Sequence, residues 1–117
     1  MAFGIVLRAI QTYGDINVSI PSGPPFFRFS DPVEVKRTLS AAGFKNPSVT
    51  HVDQIWRLPA PGELFEIMYN DSVRNAALLR AQTADALQSI RKAITREVKA
   101  CHGILPMPAV LASADRP

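Results

Sequence analysis

Apolar residues recur at intervals of three and four positions in three stretches of the chain, as they do on one face of an α-helix. In the first stretch these residues are Phe3, Val6, Ile10 and Tyr13, and Gly14 follows them as a residue that readily ends a helix. The third stretch carries polar and charged residues on its opposite side, which is typical of a helix half-buried in a core. The pattern predicts helices over residues 2–13, 62–81 and 84–102.

A fourth helix is indicated by the residues at its two ends. Asp31 can cap the helix, Pro32 suits the first turn, and Glu34 stands three residues after Asp31 as in a capping box. Gly43 supplies the C-terminal cap. We therefore expect a helix over residues 31–42.

Two runs rich in β-branched and apolar residues predict strands over residues 48–58 and 108–114. The first run alternates imperfectly, and either a bulge near Asp53 or burial of both faces would account for that. Residues 15–29 are rich in proline, so we expect an extended connector there. Four helices with two strands predict an α+β fold.

Length and composition predict one folded domain. The chain has 117 residues, of which 47% are hydrophobic and 20% are charged, so it is too apolar for an intrinsically disordered protein. The net charge is +3, with the basic residues spread through the helical parts. This distribution favours a solvated surface with weak attraction for anions over a nucleic-acid interface, and we expect no nucleic-acid partner.

The single cysteine and the absence of a leader pattern indicate a cytoplasmic protein. Cys101 can form no intramolecular disulfide, which suits a reducing compartment. The first ten residues lack the pattern of a signal peptide, and no window holds the roughly 18 apolar residues that cross a bilayer. We therefore expect neither export nor a membrane partner.

The residues between positions 24 and 44 resemble a known family. They read PPFFRFSDPVEVKRTLSAAGF, similar to the segment after the central strands of class I S-adenosylmethionine-dependent methyltransferases. In that family a loop of this type leads into a helix ending in AAGF, and a strand follows. The resemblance extends to WRLP at 56–59, VRNAALLRAQ at 73–82 and LPMPAVLASADRP at 105–117. It covers most of this chain but only the C-terminal third of such an enzyme.

The resemblance implies an antiparallel pair formed by the strands at 48–58 and 108–114. It also implies that the cofactor-binding half of the family fold is missing here, because S-adenosylmethionine is held by a glycine-rich turn and an acidic residue after the first two strands. No G-x-G spacing occurs among the glycines of this chain. We expect no cofactor in this chain, and S-adenosylmethionine only if a missing domain is supplied by a separate chain.

Few residues suggest chemistry of their own. Cys101 belongs to an apolar stripe, its neighbour His102 points about 100° away on a helix, and His51 has no partners at metal-ligand spacing. We assign no catalytic, cofactor-binding or metal-binding residue. Six residues are candidates for a pocket or an interface: Phe26, Phe27, Phe29, Trp56, Met68 and Tyr69.

Two interpretations of these six residues remain open. In intact relatives the helical insertion before the last strand helps to cover the acceptor-substrate pocket, so the resemblance implies a pocket lining. Packing in a core or an interface is the simpler alternative.

The expected function follows from the missing strands. A strand at 108–114 without its family neighbour has a bare edge, and a bare edge recruits another chain. We expect a methyltransferase-related protein that is catalytically incomplete alone and forms a homodimer through this C-terminal strand. The alternatives are a substrate-covering part of an active methyltransferase completed by another chain, and a small-molecule binding module.

Overall fold

The computed structural model describes residues 2–21 and 23–117. In this part of the chain there are five α-helices: α1 (Ala2–Tyr13), α2 (Pro32–Ala41), α3 (Glu63–Asp71), α4 (Arg74–Arg80) and α5 (Ala84–Ala100). Four strands, β1 (Lys45–Val52), β2 (Ile55–Arg57), β3 (Ile104–Pro106) and β4 (Ala109–Asp115), accompany a 3₁₀ helix at Arg28–Ser30. The α+β class is confirmed, with five helices where the sequence predicts four.

The described residues divide into two compact units, each built from two segments of the chain. The helical unit comprises residues 2–21 and 55–107, and the sheet unit comprises residues 23–54 and 108–117. The expectation of a single domain stays a prediction. The predicted connector over 15–29 has no regular element before Arg28 among its described residues, and Ser22 lies outside them.

The core of the helical unit is formed by the apolar stripes of α1, α3, α4 and α5. Burying one large apolar side chain contributes about 1.5–3 kcal/mol, so these stripes hold the four helices together. The fully buried side chains include Ile10, Phe65, Leu79, Ile90 and Ile94. The helix predicted over 2–13 is confirmed, and the one predicted over 84–102 ends two residues earlier, at Ala100.

The prediction of a single helix over 62–81 is wrong, because the helix is interrupted between α3 and α4. Ser72 has an extended backbone, with φ −107° and ψ 165°. Its hydroxyl donates to the carbonyl of Met68 and accepts from the backbone N–H of Ala76 at 3.0 Å. One side chain therefore closes α3 and caps the next turn, as serine does when it competes with the helical backbone.

The single strand predicted over 48–58 is also wrong. It is two strands in different sheets: β1 pairs with β4, and β2 pairs with β3, a strand that the sequence did not predict. The first strand ends at Val52, so the imperfect alternation reflects neither of its two expected causes, a bulge near Asp53 or burial of both faces of one strand. The irregular register lies instead between Lys45 and Ser48, where Asn46 has φ 51° and Pro47 lacks an N–H to pair.

The sheet unit has one helix and one antiparallel strand pair. Asp31 caps α2 as predicted, since its Oδ1 accepts from the N–H of Val33 at 3.0 Å. Gly43, with φ 92°, ends the helix, and the N–H of Phe44 returns to the carbonyl of Leu39. In the pair, β1 and β4 run antiparallel with Val49 opposite Ala112, and α2 packs mainly on β1.

Candidate functional site

The six candidate residues divide between the two units, three in each. Met68 is buried in the core of the helical unit, and Trp56 and Tyr69 are half-buried against that core. The Tyr69 ring stacks on Phe65 with centroids 5.6 Å apart, and the guanidinium of Arg80 lies 4.9 Å from the Tyr69 centroid. These side chains pack within the helical unit.

The three phenylalanines lie in the sheet unit, next to one another in the chain. The rings of Phe26 and Phe27 are tilted by 40° with centroids 6.2 Å apart. Phe29, in the 3₁₀ helix, remains 51% exposed, with the Arg28 guanidinium 4.9 Å from its ring centroid. Phe29 lines a cavity.

That cavity, here called the β4 groove, has a volume of about 380 Å³ and lies between α2 and β4. It exists because α2 covers β1 and leaves the surface of β4 largely open. Except for Thr38 and Ser113, its lining is apolar. The lining residues are Phe29, Val35, Thr38, Leu39, Phe44, Val110, Ala112, Ser113 and Ala114.

An ion cluster holds the wall of the β4 groove in place. Glu34, in the first turn of α2, accepts hydrogen bonds from Arg37 at 2.7 and 3.0 Å and from Arg28 at 2.9 Å. These bonds, above all those from Arg37, lower the pKa of Glu34 to about 2. The second half of the predicted capping box is therefore wrong: the carboxylate of Glu34 faces two guanidiniums, and the N–H of Asp31 donates to the carbonyl of Arg28.

One edge of β4 adjoins the groove and is open. Among the described strands β4 pairs with β1 alone, so its other edge presents unpaired backbone N–H and C=O groups. Side chains alternate along a strand, and Val110, Ala112 and Ala114 line the groove together with Ser113 between them, whereas Leu111 does not line it and is 61% exposed. An apolar groove beside a bare strand edge is the arrangement that binds an added strand.

The cysteine and histidine considered as reactive or metal-binding residues show no such arrangement among the described residues. The Cys101 thiol is half-buried and lies 3.4 Å from the carbonyl oxygens of Glu97 and Val98. His51 is exposed on β1, opposite Val110. Within residues 2–21 and 23–117 no three His, Cys, Asp or Glu side chains cluster closely enough to hold a metal ion. None of the helices described has the length and apolar character needed to cross a bilayer.

Most residues of the β4 groove could not be recognised as a site from the sequence. Val35 and Leu39 stand four positions apart in the predicted helix over residues 31–42, and Val110, Ala112 and Ala114 alternate within the predicted last strand. These two signals were present, but only the position of α2 over β1 brings them to one surface.

Comparison of the chain with protein-family models, with curated proteins and with solved structures found no match in any of the three. Its function is therefore inferred from its own residues and geometry.

Proposed function

We propose that this chain is a methyltransferase-related assembly module. In this proposal it joins a second copy of itself through the open edge of β4 and does not transfer methyl groups alone. The observation that carries the proposal is the bare edge of β4 beside the apolar β4 groove.

The sheet unit has a small core and leaves several large apolar side chains exposed. Val35 is the one hydrophobic residue buried in it among those described. Phe29, Phe44 and Leu111 all remain more than a third exposed. A two-stranded sheet is marginal in water unless more strands or helices cover it. Because burial of apolar area contributes about 25 cal/mol per Å², covering these side chains would stabilise the unit.

A second copy fits the open edge by symmetry. A two-fold axis perpendicular to the sheet would pair β4 with β4 of the partner in antiparallel register, giving the strand order β1-β4-β4-β1. Both copies of α2 would then lie on the same face of the four-stranded sheet. The two β4 grooves would meet beside the axis, where Phe29 of each copy could fill space above the new strand pair.

The arrangement of elements supports the relationship to methyltransferases. A capped helix leads into β1, a helical segment follows, and β4 returns antiparallel to β1, in the order that the resemblance implies.

The positions of the glycines support the lack of independent catalysis. Gly62 opens α3 with no second glycine near it in the sequence, whereas the family holds its cofactor at a glycine-rich turn that opens a helix.

Disulfide trapping tests the proposed interface. In a Cys101→Ser background, single cysteines at Leu111, Ala112 and Ser113 each lie near the proposed axis. At least one of them should form an intermolecular disulfide under mild oxidation, because facing Cβ atoms in such a pair are about 4.5–5.5 Å apart.

Thr50→Cys is the matched control, since Thr50 lies opposite Leu111 in the neighbouring strand β1. In the proposed dimer the two copies of β1 are three strand spacings apart, about 14 Å, which is too far for a disulfide. Equal trapping at Thr50, or no trapping at any of the three β4 positions, would overturn the interface. Saturable heat on titration of the chain with S-adenosylmethionine would overturn the claim that it lacks a cofactor site.

A further inference from the structure

A second groove lies in the helical unit, between α1 and α5. It has a volume of about 310 Å³. Its lining differs from that of the β4 groove because it is rich in polar side chains. The lining residues are Arg8, Ala9, Thr12, Tyr13, Ala93, Arg96 and Glu97.

Arg96 brings a positive charge to this groove without a carboxylate partner among the described residues. Its Nη2 donates a hydrogen bond to the Tyr13 hydroxyl at 3.1 Å, and that neutral group leaves the charge uncompensated.

Arg8 adds a second guanidinium from α1. It is paired with Glu97 only loosely, at 3.5 Å, and both side chains are about half exposed or more. An exposed pair of this kind contributes at most about 1 kcal/mol, so Arg8 can exchange Glu97 for another anion at little cost. Tyr13 accepts from Arg96, and its own hydroxyl proton remains available to a ligand oxygen.

We propose that the α1–α5 groove binds the phosphate group of a small phosphorylated molecule. Two guanidiniums from separate helices match a dianion, since each can present two parallel N–H donors to phosphate oxygens. Tyr13 and Thr12 also line the groove, and their hydroxyls supply further donors. Glu97 acts against binding, because it competes for Arg8 and repels the ligand.

Inorganic phosphate is the probe, titrated into the full 117-residue chain at constant ionic strength while amide resonances are followed by NMR. The expected result is a saturable shift confined to the groove-lining positions of α1 and α5. Arg96→Gln should weaken phosphate binding about tenfold, the usual effect of losing a charge-assisted hydrogen bond. Glu97→Gln should strengthen binding.

Lys92→Gln is the control for charge alone, because Lys92 lies on α5 outside the lining of the groove. It should change the phosphate affinity by no more than about twofold, since an exposed charge that makes no hydrogen bond to the ligand acts only through solvent and is weakened by salt. Opposite effects of Arg96→Gln and Glu97→Gln are not expected from a merely structural role.

Three results would overturn the proposal. One is a non-saturable response to phosphate, and another is an equal loss of binding in Lys92→Gln and Arg96→Gln. The third separates the two sources of phosphate: if the chain sediments with vesicles of anionic phospholipid but shows no saturable response to inorganic phosphate, the surface faces lipid and the groove is not a small-molecule site. None of these three results depends on the β4 edge, so the experiment tests this proposal independently of the assembly proposal.

Discussion

The Nε atom of Arg28 lies 2.9 Å from Oε1 of Glu34, and this hydrogen bond ties the 3₁₀ helix to the first turn of α2. Arg37 binds the same carboxylate from the next turn of α2. Phe29, which forms part of the wall of the β4 groove, follows Arg28 directly. The position of this wall therefore depends on a negative charge at Glu34.

The stability contributed by Glu34 should depend on pH. Its pKa is about 2 in the folded chain and 4.5 in a model peptide, so its contribution is complete above pH 4.5 and is lost as the pH falls towards 2. Urea unfolding should show wild type more stable than Glu34→Gln at neutral pH. The difference should shrink between pH 4.5 and 2.

Asp53→Asn provides the control for this pH experiment. Asp53 also lies in the sheet unit but has no ion pair among the described residues. Its substitution should leave the free energy of unfolding nearly unchanged at neutral pH. If Glu34→Gln were equally harmless there, the ion cluster would contribute nothing to the groove wall.

Gly103 should be the least replaceable glycine of the helical unit. It has φ 71°, and a Cβ atom at this position would lie 2.9 Å from the carbonyl oxygen of Leu58. Left-handed backbone alone costs about 1–2 kcal/mol for other residues. Gly103→Ala should therefore lower the free energy of unfolding by more than about 2 kcal/mol once the backbone clash is added.

Gly4→Ala is the comparison for Gly103, since Gly4 lies within α1. A Cβ there meets only the end of the flexible Arg8 side chain, at 3.2 Å. Thermal unfolding should show Gly4→Ala unchanged or stabilised by up to about 1 kcal/mol, because alanine is the better helix former. Equal destabilisation by the two substitutions would mean that the Gly103 turn is not as described.

Asn75 is a polar residue inside the helical unit that stability measurements can probe. It is 1% exposed, its Nδ2 makes a weak contact to the Met68 sulfur at 3.7 Å, and its Oδ1 has no hydrogen-bond donor. A buried acceptor left unpaired costs about 1–3 kcal/mol. Asn75→Leu should therefore keep or raise the free energy of unfolding, whereas Asn75→Asp should lower it by more than about 3 kcal/mol.

The matched variant for Asn75 is Asn70→Leu. Asn70 is exposed on α3, and its amide donates to the carbonyl of Glu66. Chemical denaturation should place this variant within about 0.5 kcal/mol of wild type. If Asn75→Leu lowered the free energy of unfolding by more than about 0.5 kcal/mol, the amide of Asn75 would make a contact that an apolar side chain cannot replace.

The long amphipathic helices could be predicted from the sequence, and the short elements could not. The stripes of α1 and α5 are regular over several turns, so their period fixes both the type of element and the buried face. The break at Ser72 was missed because Phe65, Met68, Ala76 and Leu79 keep a helical interval across it. The polar run Asn70, Asp71 and Ser72 was the local signal that a helix would end there.

Tertiary packing explains the remaining errors. Strands β2 and β3 have three residues each, which is too short for a periodic signal, and they are defined by their pairing, with Trp56 opposite Leu105. The β4 groove exists only because α2 lies over β1. Met68 and Tyr69 are apolar enough to line a pocket, but residues of the same kind fill a core. No local sequence pattern distinguishes a pocket lining from a core.

Sedimentation equilibrium tests the central claim most directly. At tens of micromolar the wild-type chain should have twice the 12.8 kDa mass of one copy. Ala112→Glu should shift it to a monomer by placing like charges beside the proposed two-fold axis, whereas Thr50→Glu, on the neighbouring strand, should remain a dimer. A wild-type chain that is folded and monomeric at these concentrations would contradict assembly through β4.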